Sequence, residues 1–145
     1  MRIAALTATS TGARSHRSNL SDRLGDAYAS LASDGGFTCD RLGRAYRPSS
    51  GYAVSLAGLE SRVPLALLTP TLFDGLGRVY LHWTRKLYAA TRFDVYFGGW
   101  VDGSIVVLDL SETYVHLEVA MRVGQERGQT AIYEFNGRDG REIRL

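Results

Sequence analysis

The chain has 145 residues, 45% of them hydrophobic and 10% aromatic, with a formal net charge of +2. That length fits one domain with a real core, and that composition excludes a disordered chain. The charge is too small to mark a nucleic-acid protein, and the apolar runs, about five residues at most, fall far short of the roughly 20 that span a bilayer.

Residues 1–18 read as a basic arm of small residues, with Thr7, Thr9, Ser10, Arg14, His16 and Arg17. Such an arm builds no core, and a second subunit is the expected surface for ordering it, making a homo-oligomer through residues 1–18. The N-terminus has no secretory h-region or cleavage site. Residues 19–145 read as a single α+β domain.

Ser18 or Asn19 caps a helix to about Ser33, since Leu20, Leu24, Ala27, Tyr28 and Leu31 recur at helical spacing. Gly35-Gly36 ends it. Phe37–Asp40 is a short strand, 41–51 a loop rich in Gly, Pro and Ser, and Tyr52–Leu56 the next strand, expected to pair antiparallel with the first. Thr69 as N-cap and Pro70 at the first helical position start a second helix. Its stripe of Leu72, Leu76, Val79, Tyr80, Trp83 and Leu87 is predicted to face a sheet. Gly75 and Gly77 each cost this helix about 1 kcal/mol relative to Ala.

Phe93–Trp100 alternates as a strand, Val101–Ser104 is a hairpin turn and Ile105–Asp109 the return strand. Asp102-Gly103 suits a type I′ turn, and Gly98-Gly99 reads as a bulge. After Asp109 two patterns compete. Val115, Leu117, Val119, Met121 and Val123 alternate, while Leu110, Tyr114, Leu117 and Met121 share a helix face. Helix is the preferred reading over 110–124, with Ser111, or Asp109 with Glu112, marking its start, because the sheet otherwise lacks a cover. Ala131–Phe135 and Arg141–Leu145 pair around Asn-Gly and Asp-Gly turns. The sum is an α+β fold: a mostly antiparallel sheet of about five or six strands with two or three helices on one face.

The basic residues are sixteen Arg and one Lys. Arg suits bidentate phosphate binding, but GC-rich coding explains the bias more simply, since the acids nearly balance it. The binding candidate is the loop with Arg44, Arg47, Ser49, Ser50 and Tyr52. It gathers guanidinium groups, hydroxyls and a glycine that admits a ligand to the backbone. It lacks the lysine and glycine spacing of a P-loop, and a solvated turn is the competing reading.

Tyr96, Phe97 and Trp100 fit the filling of a sheet face better than base stacking. His16, His82 and His116 have no metal spacing, and Cys39 stands alone, so neither a metal nor another cofactor is expected. No local motif marks a catalytic residue, and Asp102, Asp109 and Glu112 are explained by turn and cap positions. Whether the chain is an enzyme stays open. Gln129, with Arg127 beside it, is expected to fix a helix–strand junction.

Gly99-Trp-Val-Asp-Gly, Val107-Leu-Asp-Leu-Ser111, Gln129-Thr-Ala-Ile-Tyr-Glu and Glu142-Ile resemble small uncharacterised proteins of actinobacterial phages and mobile elements. Gly35-Gly-Phe-Thr and Ser50-Gly-Tyr-Ala-Val extend the resemblance to the N-terminal half. It implies a phage or mobile-element origin, and the absence of metal, triad and nucleotide motifs makes a phage-type accessory protein that binds a host protein or a phosphorylated small molecule in the host cytoplasm, without catalysis, the expected function. The resemblance brings no catalytic residue with it. A small enzyme acting on a nucleotide or phosphorylated substrate, and a structural component of a virus particle, are the alternatives.

Overall fold

The computed structural model describes residues 18–145. The arm reading therefore falls, apart from Ser18, outside the described residues. Helix α1 spans Leu20–Asp34. Asn19 caps it: its side chain accepts from Asp22 N at 2.8 Å, and the Asp22 carboxylate accepts from Asn19 N in return. Gly35 ends it at φ 79°, in the left-handed region that glycine tolerates. The chain continues through β1 (Gly36–Cys39), β2 (Tyr52–Ser55), β3 (Ser61–Pro64), a short 3-10 turn at Leu65–Leu67, and α2 (Pro70–Thr91). Then follow β4 (Tyr96–Asp102), β5 (Ile105–Tyr114), α3 (Leu117–Glu126), β6 (Ala131–Glu134) and β7 (Arg141–Arg144). Thr69 caps α2 as expected, its hydroxyl accepting from Leu72 N at 3.1 Å.

Among the described residues the sheet has seven strands in the order β1-β4-β5-β2-β6-β7, with β3 beside β5, and every pair is antiparallel. The α+β class is as read from the sequence. Strand β5 is the spine. One edge pairs with β4 along its length. The other carries β3 on Ile105–Leu108 and β2 on Ser111–Tyr114.

Four local readings are corrected. β1 and β2 are not a paired hairpin: β1 pairs with β4, and β2 with β5 and β6. An isolated bridge at Cys39–Ala45 is all that joins β1 to the segment leading into β2. Val54 drives this, since its place on β2 buries it in a second core. The segment 110–124 divides: 110–114 continue β5, and α3 starts at Leu117, so Asp109, Ser111 and Glu112 are strand residues, not caps. The hairpin pairs Asp102 with Ile105, which puts Gly103 (φ 62°) and Ser104 at its tip. Glycine at the first central position with no left-handed residue after it is the type II′ pattern, not type I′. Gly98 and Gly99 keep an unbroken register on both sides, so they are no bulge. A Cβ on Gly99 would lie 2.7 Å from Leu108 Cδ2 and from Phe37 Cε1, and this close packing is what requires glycine.

Residues directly opposite in antiparallel strands share a face. Phe37, Cys39, Phe97, Val106, Leu108, Leu110, Val54, Ile132 and Ile143 therefore lie together, and all three helices pack on that face. The described residues form two cores. The larger joins α1 and α2 to β1, β4 and β5. The smaller joins Ala120 of α3 to Val54 and Ile132. In α2 the buried residues are Phe73, Gly77, Tyr80, Leu81 and Thr84, whereas Leu72, Val79 and Trp83 of the expected stripe are exposed. The buried arc is turned about a quarter turn toward α1. The cause is Gly77, which lets Leu24 of α1 approach so closely that a Cβ there would lie 2.7 Å from Leu24 Cδ2.

Arg127, not Gln129, ties the helix–strand junction. Its guanidinium pairs with Glu112 and donates to Ser55 O at 3.3 Å, which anchors the end of α3 to β2 and β5.

Candidate functional site

The Gly36–Cys39 edge is closed by the chain's own return. Asp40 N donates to Arg44 O and Tyr46 N to Thr38 O, both at 2.9 Å. Asp40 builds the turn between them. Its Oδ1 accepts from Leu42 N and Arg44 N, and its Oδ2 accepts from Arg44 Nε at 2.9 Å. The segment then runs alongside the end of β6, where Gly137 N donates to Pro48 O and Phe135 N to Gly51 O. It thus links the two sides of the sheet and brings the β6–β7 loop next to α1.

A groove of about 510 Å³ opens at this meeting point, between α1, β1, the 43–47 turn and the β6–β7 loop. Four guanidinium groups line it, those of Arg23, Arg44, Arg47 and Arg138, against the carboxylates of Asp26 and Asp34. Their availability differs. Arg23 is occupied in structure, donating to Leu42 O and Ser18 O at 2.8 Å. Arg44 is paired with Asp40 and Arg138 with Asp34 at 3.2 Å, and both remain largely exposed. Arg47 is exposed and has no carboxylate within ion-pair distance among the described residues.

The structure therefore brings together part of the expected site. Arg44 and Arg47 both line the groove. Ser49 and Ser50 are exposed farther along the segment. Tyr52 leaves it altogether, since its place on β2 turns the ring to the smaller core beside Tyr114 and Met121. Arg23 and Arg138 carry no signal in the sequence that would add them to the loop. Arg138 lies about 90 residues from it along the chain, and only the curl of the sheet brings it near.

A second polar feature lies on the helix-free face of the sheet. Asp109, Ser111 and Ser55 share that face with Gly98 and Thr38. Asp109 is only 3% exposed. Ser55 Oγ donates to its Oδ2. The glycine at 98 makes room, since a Cβ there would stand 3.6 Å from Asp109 Oδ1. Burial pushes the carboxyl pKa up to about 7, the Ser55 hydrogen bond opposing and Glu60 adding repulsion. Nearby, Tyr46 stacks on Tyr96 at 4.2 Å and meets Phe135 edge-on. Burial and the Tyr46 hydroxyl raise the Tyr96 pKa. Asp109 does not line the groove. Its sequence signal is an acid inside the apolar run Ile105–Leu110.

Phe97 is fully buried in the larger core, and Trp100 is exposed in part at the rim of the helix-free face. Burial also raises the Cys39 thiol pKa, which leaves it a poor nucleophile. Among the described residues no cluster of three or more His, Cys, Asp or Glu side chains is placed to hold a metal ion. No described helix is long and apolar enough to cross a membrane. No family model, curated protein or solved structure matches this chain, so the roles given to its residues rest on geometry and chemistry.

Proposed function

We propose that this protein works by binding a small phosphorylated ligand in the groove between α1 and β1, as a phage-type accessory protein acting in a host cytoplasm. The observation that carries this reading is the convergence of Arg44, Arg47 and Arg138 on one groove, with Arg47 free of any carboxylate partner among the described residues. Arginine presents a planar fork that matches phosphate oxygens. The Asp40-braced turn holds Arg44 in place before a ligand arrives, so less side-chain freedom is lost on binding. The lining carboxylates Asp26 and Asp34 offset part of the positive charge, so the groove lacks the extended basic surface that a long polyanion such as nucleic acid needs. The phage setting rests on the sequence resemblance alone.

Calorimetry against nucleotides, cyclic nucleotides and inorganic phosphate tests the reading. The wild type is expected to bind at least one of these. Arg47→Ala should weaken that binding by about ten-fold or more, since a charge-assisted contact contributes roughly 1.5–3 kcal/mol. Its thermal unfolding should stay unchanged. Absence of binding by the wild type to every member would reject the proposal.

A further inference from the structure

We infer that the protein pairs with a second copy of itself through the flank of α2 that faces away from α1. Leu72, Val79 and Trp83 are 41%, 55% and 47% exposed there. The half-buried Leu76 lies in the same row.

Two features identify the occupant as a like helix. The first is spacing. Positions 72, 76, 79 and 83 are separated by four, three and four residues, the seam of a helix that packs along another helix. The row is also self-complementary. Across a two-fold axis between Leu76 and Val79, an antiparallel copy sets Leu72 against Trp83 and Leu76 against Val79, as an isologous contact requires. The second is area. These side chains, Leu76 included, offer roughly 300 Å² of apolar surface. That matches the apolar share of an interface burying about 600 Å² per partner, at the small end of specific contacts. Charge does not oppose the pairing. Arg78 bonds Asp74 and Ser21 on the α1 side, Arg85 follows it by two turns, and Lys86 and His82 border the row. The dimer is thus expected to be concentration-dependent.

Light scattering over a wide concentration range, with wild type, Val79→Glu and Trp83→Glu, tests this. The wild type should approach twice the chain mass at high concentration, and both variants should keep the monomer mass with their circular dichroism unchanged. A second readout keeps the row native. In a Trp100→Phe background Trp83 is the only tryptophan, and its emission should shift to the blue as concentration rises. A wild type that stays monomeric throughout, a dimer that survives both substitutions, or emission that does not move with concentration would each overturn the inference.

Discussion

Asp109 shows how one residue can carry a property of the whole chain. Its carboxyl is bonded by Ser55 and buried beside Gly98, and burial raises its pKa to about 7, against 3.8 for the free group. Because the folded-state value is the higher one, the folded chain binds this proton more tightly than the unfolded chain. Its stabilising effect is complete below about pH 4 and is lost as pH rises through about 7. The loss for a shift of this size is up to ~4 kcal/mol. Asp109→Asn keeps the shape and removes the titration. Its urea midpoint should therefore exceed that of the wild type at pH 8, and the gap should shrink toward pH 5. If the mutant and the wild type show the same pH dependence, Asp109 is not the group responsible. The sequence shows an acid within an apolar run, but whether that acid caps a helix or sits inside a sheet depends on where β5 ends.

Among the elements, those written in local chemistry are legible in the sequence and those decided by contact are not. Asn19 with Asp22, and Thr69 with Pro70, set the starts of α1 and α2, because a cap is satisfied within one turn. The Phe93–Asp109 hairpin and the Ala131–Leu145 pair are legible for the same reason. The rotation of α2 is not, since it depends on Leu24 meeting Gly77 across two helices. Nor is β3: Ser61-Arg-Val-Pro64 has little strand character of its own and acquires order from the open edge of β5. Gly98-Gly99 reads as a bulge in the sequence because a bulge and a close approach both favour glycine. Gly99→Ala separates them. With Leu108 and Phe37 both 2.7 Å from the added methyl, it should lower stability by about 1–3 kcal/mol in chemical denaturation. A change under about 0.5 kcal/mol, the usual size of a substitution that meets no obstacle, would mean that the strands have room to part.

Over the whole molecule, the curl of the sheet connects the fold to the candidate site. The 44–51 segment borders β1 on one side and the end of β6 on the other. That closure places Arg138 opposite Arg44 and Arg47 and forms the groove, while sending Tyr52 to the other core. Half of the site is therefore readable in the sequence as a basic loop. The other half comes from a distant turn that only the tertiary fold supplies. The most direct test of the anion-binding claim is a two-dimensional NMR titration of the labelled protein with the tightest-binding phosphorylated ligand, or with inorganic phosphate. Shift changes should cluster on Arg44, Ala45, Arg47, Arg138 and the facing turn of α1, and should leave Tyr52 and α3 unmoved. Changes centred on Asp109 and Trp100, or on the exposed row of α2, would contradict it.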